Sequence, residues 1–233
     1  MTAPDNPIYC ALDVPTVAGA LELARRIGPS VGGLKLGLEF FCGAGPQGVK
    51  AVAALGRPIF LDLKLHDIPN TVASAIRALN PLGVSLVNVH AGGGAAMMRA
   101  AADAAREAGE HRPKVLAVTV LTSLDAADLG AMGISASPAD QVVRLASLAR
   151  ESGLDGVVCS AGEIAAVRAA CGPDFLIVVP GIRPAGSDAG DQKRMATPAQ
   201  ALASGADMLV IGRPITAAGD PAQAAREIAA TLR

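Results

Sequence analysis

The sequence predicts a (β/α)8 barrel (TIM barrel), an α/β fold, as a single domain over residues 1–233. Short apolar segments that read as strands alternate with helical segments eight times, and this alternation is typical of a parallel sheet. The strand segments are continuous apolar runs, as expected for strands that are buried on both faces. Composition does not shift along the chain, so no internal domain boundary is predicted.

A doubly wound open sheet is the alternative fold with the same alternation. Its first strand–helix turn commonly carries a Gly-x-Gly-x-x-Gly fingerprint. Here that turn reads Asp13-Val14-Pro15-Thr16 and contains no glycine. The barrel is therefore the preferred prediction.

The boundaries of the elements follow from apolar runs and turn residues. Strands are predicted at residues 8–14, 34–37, 58–65, 84–90, 115–121, 156–160, 175–181 and 207–212. Helices are predicted at residues 17–27, 47–55, 71–78, 95–108, 139–151, 163–170, 197–204 and 221–232, with one further helical turn at 126–129. Gly56 is expected to end the second helix, Asn70 and Thr71 to cap the third, and Ser137-Pro138 to start the helix at 139–151.

Charge and cysteine content exclude several classes of function. The formal net charge is −1 without a basic block, which gives no support to nucleic-acid or membrane-surface binding. No apolar run approaches the roughly 18 residues of a membrane span, and the first six residues do not resemble a secretory signal. The four cysteines are scattered and form no Cys-x-x-Cys pair. Free thiols in a reducing cytoplasm are expected, and a zinc site is not.

The third strand carries a concentration of charge. Alternation along a strand puts Phe60, Asp62 and Lys64 on one face and three leucines on the other. A carboxylate and an ammonium in apolar surroundings must compensate each other. Asp67 adds a second carboxylate just past the strand. Because a structural ion pair needs only one acid, this stretch predicts a catalytic site.

Polar residues also follow the other predicted strands. In a (β/α)8 barrel the active site lies at the C-terminal ends of the strands. The residues found there are Asp13, Lys35, His90, Thr122, Arg183, Gly212 and Arg213. One such residue is weak evidence, and a lone His90 is more typical of a supporting role. Their common position at one end of the barrel predicts the site.

The loops after the seventh and eighth strands indicate a phosphate site. Gly181 precedes Arg183 in one loop, and Gly212 precedes Arg213 in the other. Glycine lets backbone N–H groups approach an anion, and arginine makes bidentate, charge-assisted hydrogen bonds. These loops often hold phosphate in barrels of this fold. The polar segment at residues 184–194 is predicted to be a mobile lid.

At residues 62–71 the sequence reads Asp-Leu-Lys-Leu-His-Asp-Ile-Pro-Asn-Thr and closely resembles the signature of bacterial-type orotidine 5′-phosphate decarboxylases. The resemblance covers nearly the whole chain. It includes residues 11–13, 35–37, 120–123, 180–183, 191–192 and 211–216. Related sugar-phosphate decarboxylases and aldolases share Asp-x-Lys-x-x-Asp, whereas Ile-Pro-Asn-Thr at 68–71 and the loop with Gln192 narrow the choice.

The resemblance implies an enzyme that converts orotidine 5′-phosphate to uridine 5′-phosphate and CO₂, without a metal or an organic cofactor. Lys64 would protonate the pyrimidine carbon that loses CO₂, while Asp62 and Asp67 flank Lys64 and crowd the substrate carboxylate. The remaining implied contacts are Asp13, Lys35 and Thr71 with ribose, Thr122 with pyrimidine, and Arg183, Gln192, Gly212 and Arg213 with phosphate. In this family the residues matching Asp67 and Thr71 reach the neighbouring subunit's site, which implies a homodimer with shared active sites.

Two other functions stay open from the sequence. A metal-dependent sugar-phosphate decarboxylase or aldolase could use the same barrel, but it would need a further acid for Mg²⁺. A non-catalytic nucleotide-binding regulator is the second alternative. The group of Asp62, Lys64 and Asp67 argues against it, because binding an anion gains nothing from two flanking carboxylates.

Overall fold

Eight parallel strands close into a barrel in the computed structural model, which describes residues 6–184 and 196–232. The strands are β1 Ile8–Ala11, β2 Gly33–Leu36, β3 Ile59–Leu65, β4 Leu86–His90, β5 Lys114–Val118, β6 Gly156–Val158, β7 Leu176–Val179 and β8 Met208–Ile211. Each strand pairs with the next, and β8 pairs with β1 so that Ile8 lies opposite Leu209. The predicted (β/α)8 barrel is confirmed, and the open sheet is excluded.

Helices follow the strands along the chain. They are α1 Val17–Ile27, α2 Leu38–Ala53, α3 Pro69–Leu79, α4 Gly94–Arg106, α5 Ala126–Ala131, α6 Pro138–Glu151, α7 Ile164–Cys171, α8 Pro198–Ala203, α9 Arg213–Thr216 and α10 Pro221–Ala230. Ser137 and Thr197 cap α6 and α8 by accepting backbone N–H groups, which confirms both predicted starts. Across the described part of the chain, the helices are too short or too polar to cross a bilayer.

Three helix predictions differ from the structure. The span α2 contains two helical segments that meet at a kink, where Gly45 has a non-helical φ of 61°. The segment after Pro46 corresponds to the helix predicted at 47–55, whereas the segment that begins at Leu38 was not predicted. Helix α3 is not capped by Asn70 or Thr71. Its N-cap is Ile68, which makes no side-chain cap, and Pro69 supplies the first turn. The short helix α9 was not predicted, since four residues carry no periodicity.

The core has two parts because side chains alternate along each strand. Residues such as Ile8, Cys10 and Leu12 face the helices and join the larger cluster of buried side chains. The smaller cluster fills the barrel interior and consists of Tyr9, Ala11, Phe60, Leu86, Leu116, Val178, Met208 and Val210. Interior packing is close: a Cβ on Gly33 would lie 2.3 Å from the Tyr9 ring. These side chains fill the barrel below the carboxyl ends of the strands, where polar residues follow.

Candidate active site

A cavity of about 230 Å³ opens at the carboxyl ends of the strands. It is lined by Lys35, Phe60, Asp62, Lys64, Val118, Val120, Leu121, Thr122, Val158, Cys159, Pro180 and Val210. Charged groups of β2 and β3 lie along one side, while Phe60 of β3 and residues of β5, β6, β7 and β8 or their following loops contribute the apolar lining. The cavity therefore offers both a charged wall and an apolar wall to a ligand. Four predicted site residues line it: Lys35, Asp62, Lys64 and Thr122.

Four charges of alternating sign form what we call the charged row: Asp13, Lys35, Asp62 and Lys64. Lys35 Nζ lies 3.3 Å from Asp13 Oδ1 and 3.5 Å from Asp62 Oδ2. Lys64 Nζ lies 2.6 Å from Asp62 Oδ1. The side chains of Lys35 and Asp62 are 10% and 13% exposed, against 31% for Lys64 and 60% for Asp13. The row thus runs through a buried centre and presents Lys64 to the cavity.

Asn88 on β4 supports the row and was missed by the sequence reading. Its Nδ2 donates to Asp62 Oδ1 at 2.7 Å, and its Oδ1 accepts the backbone N–H of Lys64 at 2.7 Å. Asn88 is 1% exposed, so both ends of its amide are satisfied inside the protein. The signal was present in the sequence, as a polar residue between two valines of the fourth strand.

Lys64 has an unusual backbone conformation. Its φ is 52°, in the left-handed region, and no other non-glycine residue in the described ranges has a positive φ. The pairing of β3 with β4 shifts register between Leu61 and Leu65, around this residue. Such a conformation is costly for a lysine and persists only when its surroundings hold it. The hydrogen bond from its N–H to Asn88 is one of the contacts that hold it.

The charged row keeps Asp62 ionised. Burial by itself raises the pKa of Asp62, but the charges of Lys35 and Lys64, with hydrogen bonds from Lys64 and Asn88, outweigh burial and lower the pKa below its ordinary value. A permanent carboxylate therefore lies beside the cavity. Any second carboxylate placed next to it is repelled, by roughly 4 kcal/mol at 4 Å and an effective dielectric near 20.

Asp67 and Thr71 do not join the cavity of their own chain. Asp67 is exposed, and its Oδ1 accepts the backbone N–H of Ile68 at 2.6 Å. Within the described residues, Lys64 forms its ion pair with Asp62 and not with Asp67. Thr71 is exposed in the first turn of α3, and Ile68 beside it is 67% exposed. These three residues form an outward-facing segment next to the site.

The predicted phosphate residues lie on loops at the same end of the barrel. Arg183 follows β7, and its backbone N–H donates to the carbonyl of Ala196 at 3.0 Å, which joins the two sides of segment 185–195. Gly212 precedes α9, and a Cβ there would lie 3.7 Å from Asp13 Oδ2. The β8 loop with Arg213 therefore adjoins the outer end of the charged row. Gln192, and all but the first residue of the predicted lid, lie outside the described residues.

His90 ends β4 and packs against His66 at the rim of the site. The two ring centroids are 5.5 Å apart with a tilt of 31°. Burial lowers the pKa of His90, and His66 and Lys64 lower it further, while Asp62 opposes them. In the part of the chain that the structure describes, no three His, Cys, Asp or Glu side chains are grouped closely enough to hold a metal ion.

A closed parallel barrel with a charged cavity at the carboxyl ends of its strands is the arrangement of (β/α)8-barrel enzymes. Comparison with known proteins identifies the family. Residues 6–228 match the family described as orotidine 5′-phosphate decarboxylase / HUMPS, and the chain belongs to that family.

Similar proteins match over nearly the full length. A protein of Paramagnetospirillum magneticum named orotidine 5′-phosphate decarboxylase is 58% identical over 231 residues, which cover 97% of this chain and 98% of the relative. A protein of the same name from Sphingopyxis alaskensis is 59% identical over 227 residues, covering 97% and 99%. A crystal structure of orotidine 5′-phosphate decarboxylase from Lactobacillus acidophilus superposes with a TM-score of 0.87 at 39% identity, covering 98% and 100%. The resemblance drawn from residues 62–71 is confirmed.

Proposed function

We propose that this protein decarboxylates orotidine 5′-phosphate to uridine 5′-phosphate and CO₂, the last step of de novo UMP synthesis. The observation that carries the proposal is the charged row, with Asp62 held between two ammonium groups at the wall of a cavity. Similar proteins that carry this enzyme name match nearly the full chain. The free thiols of Cys10, Cys42 and Cys171 fit a reducing cytoplasm as the place of action.

The row supplies both halves of the reaction. A substrate carboxylate beside Asp62 is repelled until its carbon–carbon bond breaks and it leaves as neutral CO₂. The electron pair of that bond stays on the pyrimidine carbon, and Lys64 donates a proton from Nζ to it. Lys64 then regains a proton from solvent, which its 31% exposed side chain can reach. Lys64 is therefore the general acid, and Asp62 stresses the bound substrate and orients Lys64.

The rest of the nucleotide extends away from the cavity. We assign Thr122, which lines the cavity, to the pyrimidine. We assign the ribose to Asp13 at the outer end of the row, to its neighbour Lys35, and to Thr71. The phosphate lies at the loops after β7 and β8, held by Arg183, Gln192, Gly212 and Arg213, since arginine forks and glycine N–H groups suit a dianion.

The enzyme acts as a homodimer with shared sites. Asp67 and Thr71 are exposed and do not line the cavity of their own chain. In that chain Lys64 is paired with Asp62. The second carboxylate that flanks Lys64 and crowds the substrate therefore comes from a neighbouring subunit. Exposed Ile68, 67% accessible and adjacent to Asp67 in sequence, provides apolar surface for a second copy. A two-fold axis would then place each Asp67 in its partner's site.

Turnover of orotidine 5′-phosphate by the purified protein, after thorough EDTA treatment, tests the activity. The expected products are uridine 5′-phosphate and one equivalent of CO₂, at a rate that EDTA leaves unchanged. Activity that disappears with EDTA and returns with Mg²⁺ would instead favour a metal-dependent sugar-phosphate relative. Tight binding of uridine 5′-phosphate with no turnover of orotidine 5′-phosphate would indicate a regulator.

Mixing inactive subunits tests the shared site. Lys64→Ala and Asp67→Ala proteins should each be nearly inactive. In a mixed dimer one site carries both lesions and the other carries neither. After random exchange at equal concentration, about half the dimers are mixed and roughly a quarter of all sites are intact. Mixed dimers confirmed by mass spectrometry but still inactive would place Asp67 in its own subunit's site.

A further inference from the structure

The end of β3 is held by β4 one residue after another. The backbone N–H of Lys64 donates to the Asn88 side chain at 2.7 Å. The next residue, Leu65, pairs with Val89 in the sheet. These contacts hold β3 against β4 after Leu61, where the regular pairing of the two strands is interrupted by the register shift. They end at Leu65, the last residue of β3.

The contact between His66 and His90 continues this series beyond the strand. Their ring centroids lie 5.5 Å apart, within the range of favourable aromatic pairs. The His66 ring also lies over the turn that follows β4. A Cβ on Gly93 would be 3.2 Å from His66 Cδ2, and one on Gly92 would be 3.8 Å from His66 Cε1. His66, the residue before Asp67, is thus packed both against His90 and against the turn that follows β4.

After Asp67 the chain enters α3, whose first turn is closed by the backbone N–H groups of Thr71 and Val72 on the Ile68 carbonyl. The Asp67 carboxylate accepts the N–H of its neighbour Ile68, a local bond that moves with the loop. Asp67 and Ile68 are both exposed in the single chain. The last contact with the barrel before Asp67 is therefore the packing of His66 on His90 and on the turn at residues 91–93.

We propose that His66 and His90 are positioning residues that set the direction in which the β3–α3 loop leaves the barrel, and so place the Asp67 carboxylate in the site it serves. This rests on the role assigned to Asp67 above. An imidazole suits the position because its flat ring packs while its polar edge stays wet. The pKa of His90 is lowered first by burial and then by His66 and Lys64, which favours the neutral form of the packed ring.

Kinetics of variants at residue 66 provide the first test. His66→Ala should lower kcat/KM for orotidine 5′-phosphate about tenfold, mostly in kcat, because a displaced carboxylate weakens the chemical step. His66→Phe keeps a ring on His90 and should restore activity to within about threefold. His111→Ala is the matched control, since His111 is exposed and lies before β5, at the opposite end of the barrel. It should leave kcat/KM unchanged.

Coupling to Asp67 provides the second test. If His66 acts through Asp67, His66→Ala should cost less than about twofold in the Asp67→Ala background. If Asp67→Ala is itself impaired and His66→Ala still lowers kcat/KM a full tenfold in that background, His66 does not act through Asp67. That result would overturn the positioning role of His66 and leave the role of Asp67 intact. Full activity of Asp67→Ala would overturn the role proposed for Asp67 and this inference with it. If His66→Ala does not fold, His66→Gln replaces it in both tests. It should show the same loss of kcat/KM as His66→Ala in each background, and the same results would overturn the proposal.

Discussion

The two ends of the barrel hold similar charges in different ways. At the carboxyl end lie two acids and two lysines, the charged row. At the amino end lie two acids and two arginines, which form the pairs Arg112–Asp155 and Arg168–Asp207. Asp155 and Asp207 directly precede β6 and β8, whereas Asp13 and Lys64 lie at or beyond the carboxyl ends of their strands.

At the amino end, the charged groups of both pairs fill their hydrogen bonds with each other and with backbone groups. Two nitrogens of Arg112 meet both oxygens of Asp155 at 2.8 and 2.6 Å, and Asp155 also accepts the N–H of Val115. Arg168 donates to Asp207 and to the carbonyls of Gly172, Pro173, Phe175 and Gly205. These bonds tie neighbouring strands and helices together, so this end of the barrel contributes stability.

The charged row has the opposite character. Lysine is a compact charge that can give up a proton, whereas the guanidinium of arginine keeps its proton and fills a fixed set of bonds. Lys64 is 31% exposed and borders the cavity. Similar charges are therefore tied into the structure where arginine forks saturate them, and stay available to a ligand where a lysine remains accessible.

The largest expected effect is on catalysis at the carboxyl end. Lys64→Ala removes the group that we propose as proton donor, so kcat/KM for orotidine 5′-phosphate should fall by about 1,000-fold or more. The unfolding free energy should change by less than about 1 kcal/mol, because Asp62 keeps Lys35 and Asn88 as partners. Turnover and urea denaturation measure the two quantities. A variant with a tenth of the activity would remove Lys64 from the chemistry.

The next largest effect is a difference in activity between arginine variants at the two ends of the barrel. Arg213→Ala should lower kcat/KM for orotidine 5′-phosphate several hundredfold, through lost charge-assisted bonds to phosphate, and much less for orotidine without phosphate. Arg112→Ala is the matched control and should leave both activities within a few-fold. Equal losses of Arg213→Ala on the two substrates would rule out a phosphate role for Arg213.

A smaller effect is expected on stability at the amino end. Asp155→Ala leaves Arg112 and the N–H of Val115 without their acceptor, so the unfolding free energy should fall by about 3 kcal/mol. The activity of the folded fraction should stay within a few-fold of the parent. Urea unfolding followed by turnover at low temperature checks both. Lost activity in a fully folded variant would contradict the assignment of this end to structure.

The smallest effect depends on pH. The pKa of Asp62 is lower folded than unfolded, so its carboxylate stabilises the protein above the unfolded pKa of about 4, and this contribution is lost as pH falls through the folded pKa. Asp62→Asn should therefore be about 2 kcal/mol less stable near pH 7. The difference from the parent should shrink below about pH 4. A pH-independent difference in urea unfolding would show that Asp62 does not titrate as argued.

Local features of the sequence determined the elements and much of the site. Helix α1 was predicted with both of its ends, because Thr16 caps it and its apolar spacing is complete within 11 residues. The strands were found as apolar runs, although several end one to three residues early, where loops with polar residues begin. Residues 62–71 identified the family because the charged residues of its signature and their spacing lie in one continuous stretch.

Tertiary structure decided what depends on distant partners. Asn88 meets Lys64 and Asp62 across 24 and 26 residues, and only the register of β3 on β4 brings them together. The positive φ of Lys64 and the packing of His66 on His90 follow from the same pairing. The sequence by itself determined which residues bear charge and roughly where the strands lie, since those are local properties. Their contacts required the closed barrel, because pairing between strands is a property of the whole chain.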